Sequence, residues 1–102
     1  MIQKAQANLR REQVNLRCEK ERQIKVFDTT LRDGQQCPGA GMDFEQNIEY
    51  ACLASFLKVD ILEAGFPSAS NTDFRIVHTI AEEMLNMEHM PIVAALCQLR
   101  EE

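Results

Sequence analysis

Three short apolar runs alternate with two segments of helical periodicity, and this alternation restricts the fold more than any other feature of the chain. "IKVFDTTL" (24–31) mixes apolar and β-branched residues as a strand does. "FEQNIEYACLASFLK" (44–58) puts Phe44, Ile48, Ala51, Cys52, Ser55 and Phe56 on one helical stripe. "VDILEAGFP" (59–67) reads as a second strand, stopped by Gly65 and Pro67. "TDFRIVHTIAEEML" (72–85) aligns Phe74, Val77, Ile80, Ala81 and Met84, and "MPIVAALCQL" (90–99) is apolar enough for a strand buried on both faces. Strands separated by helices pair in parallel through right-handed crossovers. The pattern predicts three parallel strands and two crossover helices, either within a doubly wound sheet or as a piece of a (β/α)8 barrel. Asp43 with Gln46 three residues later predicts a capping box, and Ser70 or Asn71 a second N-cap.

The 102 residues make one small domain at most, and its two parts differ in charge. Residues 1–25 hold seven basic and three acidic side chains, and 26–102 hold four and thirteen. The net charge of −5 argues against a nucleic-acid partner. Residues 1–23 are polar and contain neither Gly nor Pro, so we expect a loosely docked helical extension, with the folded part beginning at Ile24. The four cysteines, at 18, 37, 52 and 97, form no C-x-x-C, which fits free thiols in a reducing cytoplasm. No membrane-spanning apolar run and no secretory signal are expected.

Chemistry in either α/β architecture gathers at the carboxyl ends of the strands. Two polar groups sit there: Arg32-Asp33, with Gly34 turning the backbone away, and Glu63. A carboxylate at such an end suits a hard divalent cation, and an adjacent guanidinium steadies an oxygen that develops negative charge. The same dipeptide could equally be an ion pair that closes a strand. His78 and His89 are eleven residues apart and read as surface or structural groups. Met84, Met87 and Met90 read as core or helix-end filler, and Phe27, Phe44, Phe56 and Phe66 as packing.

"FDTTLRDGQQCPG" and "VDILEAGFPSASNTDF" resemble the first and second strands, with their loops, of the isopropylmalate synthase and 3-hydroxy-3-methylglutaryl-CoA lyase superfamily. The resemblance runs from Ile24 to Leu99, and "EAGFP" followed by Ser-Ala-Ser is most similar to the synthase branch. Homocitrate or citramalate synthase and the lyase are the alternatives within the family. The resemblance implies the N-terminal fragment of a (β/α)8 TIM barrel that condenses acetyl-CoA with 2-oxoisovalerate in leucine synthesis. It also implies a divalent metal, Mg²⁺, Mn²⁺ or Zn²⁺. Arg32 would polarise the keto-acid carbonyl and Asp33 would bind the metal. Gln36 and Glu63 would lie near the substrate.

Three positions depart from the family pattern. Gln35 stands where a Glu is usual, Asn47 where a Lys is usual, and Lys58 where a Gly ends the first helix. A Lys in the left-handed conformation that such a Gly takes costs about 1 kcal/mol. The family's later metal ligands and acetyl-CoA site lie beyond the third strand. Residues 1–102 are therefore expected to hold metal weakly and to be inactive alone, and their exposed strand edges to favour a homo-oligomer. The alternative is a non-catalytic βα fragment that acts through self-association or a partner.

Overall fold

The computed structural model describes residues 23–100, so the helical extension expected for 1–23 lies almost wholly outside the described residues. The elements follow the predicted order: β1 (Phe27–Asp28), a 3-10 turn (Gly34–Gln36), α1 (Phe44–Phe56), β2 (Ile61–Glu63), α2 (Asn71–Met84) and β3 (Ile92–Ala94). The strands form one parallel sheet in the order β1-β2-β3, with Phe27 opposite Ile61 and Leu62 opposite Val93. Isolated backbone bonds lengthen this ladder, from Ile61 N to Val26 O (3.1 Å) and from Ala64 N to Ala94 O (2.8 Å).

Sequential strand order is what a piece of a (β/α)8 barrel requires. A barrel adds each strand beside the last, and a doubly wound sheet does the same within each half, on either side of its switch point. Here α1 and α2 also pack against each other, so both crossovers return on one face of the sheet. The three strands and two helices are arranged as in a barrel wall. Its core lies between sheet and helices and consists of Leu31, Ala51, Ala54, Leu62, Ala64, Ile76, Ile80 and Met84.

Each helix begins as the sequence predicts. Asp43 accepts from Gln46 N (2.8 Å), and the Gln46 side chain accepts from Asp43 N (3.0 Å), which completes the capping box. Ser70, rather than Asn71, caps α2 by accepting from Asp73 N at 3.1 Å. At the other end of α1, Lys58 N donates to Ser55 O and Val59 N to Ala54 O, a Schellman closure. That closure forces Lys58 to φ +62°, the conformation expected from its position. Gly65 ends β2 at φ +150°, and a Cβ there would come 3.3 Å from Val77 Cγ2.

The structure corrects four of the expectations about packing. The first strand is shorter than 24–31, because the chain folds back onto the Thr29 carbonyl and carries Leu31 into the core, where it is 3% exposed. The inner stripe of α1 is Asn47, Ala51, Ala54 and Ser55, and Phe56 is 81% exposed. Asn47 is buried where its amide bonds to Gln35, Met42 O and Asp43 O, in the loop before α1. On α2 the buried residues are Ile76, Ile80 and Met84, while Phe74 turns outward and stacks on His78 with 6.1 Å between ring centres. Finally, β3 is not buried on both faces: Ile92 is 63% exposed, since no described element covers that side.

Lys58→Gly should raise stability by about 1 kcal/mol by removing the Cβ strain of the left-handed position. Urea denaturation checks this: we expect a higher midpoint with an unchanged slope. An unchanged midpoint would mean that the lysine stem repays its backbone strain.

Candidate functional site

Strand β1 stops at Asp28 because one carbonyl gathers the next turn. Thr29 O accepts from Arg32 N (3.1 Å), Asp33 N (2.9 Å) and Gly34 N (3.3 Å). The fold-back lifts Arg32 and Asp33 off the strand end. Gly34 is not in the left-handed region; its lack of a Cβ matters because one would meet Thr30 Cγ2 at 3.3 Å.

The fold brings three of the four predicted site residues together. Arg32 Nε donates to Glu63 Oε1 at 2.8 Å, across the ends of β1 and β2. Arg32 Nη1 lies 3.6 Å from Asp33 Oδ1. Glu63 is almost fully buried, whereas the Asp33 side chain is 66% exposed. The bond to Glu63 is the main cause of a guanidinium pKa above its ordinary value; desolvation opposes it, and the charges of Glu63 and Asp33 assist it. Glu63 Oε2 is buried and has no hydrogen-bond partner among the described residues. Gln36 stands apart: it is exposed at the end of the 3-10 turn.

Two further groups support the loop, and sequence reasoning did not connect either. The Tyr50 hydroxyl donates to Asp28 Oδ2 (2.7 Å) and is 3.1 Å from Thr30 Oγ1, while Thr30 N donates to Asp28 Oδ1 (2.9 Å). The second group pairs two of the three departures from the family pattern, Gln35 and Asn47: Gln35 Nε2 donates to Asn47 Oδ1 at 2.7 Å. The available signal was spacing, since Asn47 and Tyr50 are three apart on one helix and therefore share a face.

A hard cation would find one ligand here, Asp33. Among the described residues no three His, Cys, Asp or Glu side chains cluster to hold a metal. The described residues therefore do not by themselves build a metal site. His78 pairs with Glu82 on the surface of α2 at 3.2 Å, and His89 Nε2 donates to Val59 O at 3.0 Å. Cys37, Cys52 and Cys97 are free thiols, and Cys18 lies outside the described residues. No described helix is long and apolar enough to cross a membrane. A cavity of about 490 Å³, lined by Cys52, Ser55, Phe56, Lys58 and His89 among others, sits at the C-terminal end of α1, away from Arg32. The Ser55 hydroxyl and the His89 ring there are both spent on backbone carbonyls, which is a structural arrangement.

Comparison with known proteins gives this geometry a context. The HMGL-like family profile matches residues 23–102. A 2-isopropylmalate synthase of Rhodopseudomonas palustris (strain BisB18) is 56% identical over 68 residues, which are 67% of this chain and 13% of the relative. The enzyme of the same name from strain BisA53 is 56% identical over 63 residues, 62% of this chain and 12% of the relative. That from Bradyrhizobium sp. (strain ORS 278) is 52% identical over 63 residues, with the same shares. The match thus spans about an eighth of these relatives' length.

The Asp28–Tyr50 bond should be visible in the pH dependence of stability. Burial pushes the Asp28 carboxyl up, but hydrogen bonds from Thr30 and Tyr50 outweigh it and leave the pKa below the ordinary value. A depressed carboxyl contributes stability that is fully present above its unfolded pKa, about 3.9, and is lost as pH falls through the folded value. Tyr50 is raised, first by burial, so its contribution is present below about pH 10 and is lost as pH rises through the folded value. Tyr50→Phe should lower stability by about 1 kcal/mol at neutral pH, remove the tyrosine's part of the alkaline limb and weaken the acid limb, since Asp28 loses a hydrogen bond that holds its pKa down. Asp28→Asn should flatten the acid limb and, by removing the carboxylate that helps raise Tyr50, weaken the alkaline one. Denaturation midpoints across pH check both, and unaltered limbs would remove the bond from the account.

Proposed function

The chain belongs to the HMGL-like family, and from that premise we propose that it supplies the first strands of a 2-isopropylmalate-synthase-like acyltransferase. The reaction is the condensation of acetyl-CoA with 2-oxoisovalerate, in the cytoplasm, on the path to leucine. The observation that carries this reading is the Arg32–Glu63 bond at 2.8 Å, which joins the ends of adjacent strands beside an exposed Asp33. Glu63 occupies Nε and Asp33 lies 3.6 Å from Nη1, which leaves Nη2 of Arg32 to face a keto-acid carbonyl. When the acetyl-CoA enolate carbon attacks that carbonyl, the new C–C bond pushes the π electrons onto oxygen. The guanidinium stabilises the resulting negative charge. The buried Glu63 Oε2 is available to accept a hydrogen bond from substrate or water.

Asp33 is the ligand this segment would give to a divalent metal, which in the complete site would act as a Lewis acid. One exposed carboxylate holds Mg²⁺ or Mn²⁺ weakly unless other ligands complete the shell, so no step is assigned here to the metal. Gln36 would reach substrate only from the outer side of the loop. A second reading, a non-catalytic chain that self-associates, draws on the exposed apolar residues of the outer strands, Phe27 (50%) and Ile92 (63%).

A chimera tests the enzymatic reading. Residues 23–100 replace the matched segment of the Rhodopseudomonas palustris synthase, and free CoA release is measured with acetyl-CoA and 2-oxoisovalerate. We expect an active chimera whose kcat falls by about two to three orders of magnitude in Arg32→Met. A folded chimera without activity, or one indifferent to Arg32, would sink the reading. For the 102-residue chain alone we expect Mn²⁺ binding no tighter than about millimolar by calorimetry, and no CoA release. Micromolar binding lost in Asp33→Ala would overturn that expectation. Sedimentation of the same sample then shows whether self-association completes the site.

A further inference from the structure

We propose that Gln35 and Asn47 form an amide clamp that positions Arg32 and Asp33, an inference that rests on the reading of those two residues as facing substrate and metal. Asn47 is 1% exposed, one of three buried polar residues among those described. Its Nδ2 donates to Met42 O (3.2 Å) and Asp43 O (2.7 Å), and its Oδ1 accepts from Gln35. Gln35 Nε2 also donates to Leu31 O at 2.6 Å, and Gln35 Oε1 accepts from Met42 N at 3.1 Å. Every N–H of the two amides is used, and their orientation is dictated by the backbone: two carbonyls face Nδ2 of Asn47, and one N–H faces Oε1 of Gln35.

The clamp therefore ties both ends of the loop to the first turns of α1. It grips Leu31, the residue before Arg32, and Met42–Asp43, where the helix begins. The Thr29 carbonyl holds the same turn from the strand side through the N–H groups of Arg32, Asp33 and Gly34. Arg32 and Asp33 lie between these two fixtures, which restrict the directions their side chains can take. Neither amide touches Arg32 or Asp33 directly, so both are positioning residues.

The chemistry of the pair makes a sharp test. In Gln35→Glu a carboxylate would face two acceptors, Leu31 O and Asn47 Oδ1, and the clamp would open. In Asn47→Lys an ammonium would face the Gln35 Nε2 donor. In the double variant Q35E/N47K the carboxylate can accept from the ammonium and from Met42 N, so an ion pair replaces the amide pair. A residue that only fills volume would show additive damage instead.

Hydrogen exchange on the ¹⁵N-labelled 102-residue chain reads this without metal or substrate. Gln35→Glu should speed exchange at Arg32 Nε–H, Asp33 N–H and Gly34 N–H by roughly tenfold, with the Leu62 amide of β2 unchanged. Q35E/N47K should return the three sites to within roughly threefold of the starting protein. If Gln35→Glu does not fold, Gln35→Met carries the same expectation. Wild-type exchange at the three sites in the single variant, or additive damage in the double, would overturn the clamp. In the chimera, kcat should fall in Gln35→Glu and recover in the double variant. An inactive chimera with intact rescue of exchange would overturn the reading of the site; an active chimera without rescue would overturn the clamp alone.

Discussion

The carboxylate of Glu63 is buried at the end of the middle strand, and a carboxylate so placed needs a partner. The guanidinium of Arg32 meets it at 2.8 Å. Much else follows from that meeting. Arg32 must leave the line of β1 to reach across, so the strand ends early and the chain gathers on the Thr29 carbonyl. Leu31 is carried inward as Arg32 and Asp33 are carried outward. An apolar pair would close the two strands as well, but it would offer no guanidinium to a carbonyl oxygen.

The rest of the fragment holds the two strand ends in register. Small residues at Ala51, Ala54 and Ala64 fill the seam between sheet and helices, and Gly65 leaves room for Val77 where β2 ends. The Schellman closure at Lys58 turns the chain directly from α1 into β2. It keeps the connection short, at the cost of a left-handed lysine. Tyr50 and Asn47, from adjacent turns of α1, reach the two sides of the loop that carries Arg32.

Much of this was legible in the chain. The alternation of strands and helices and the Asp43–Gln46 capping box are local or periodic features that sequence records directly, whereas the left-handed Lys58 was expected from the Gly that the family resemblance puts there. The placement of Arg32, Asp33 and Glu63 at strand ends followed from topology. The inner face of α1 did not follow, because apolarity marks Phe56 as an inner residue whereas the buried seam takes Asn47. A buried amide is chosen by the carbonyls it must satisfy, and those belong to a loop whose path the sequence leaves open. The coupling of Gln35 to Asn47 was hidden for the same reason: each stood out singly as a departure from the family pattern, but only the path of the loop brings them to 2.7 Å. The exposure of β3 depends on what covers it, which hydropathy does not encode.

A double-mutant cycle on Arg32 and Glu63 tests the central interaction most directly. Arg32→Met, Glu63→Gln and the combination are compared with the parent chain by urea denaturation at neutral pH. Arg32→Met alone strands a buried carboxylate, so it should be the least stable of the set, and adding Glu63→Gln should recover part of the loss. Additive effects, or a single Arg32→Met variant as stable as the parent, would show that the two strand ends do not depend on this bond.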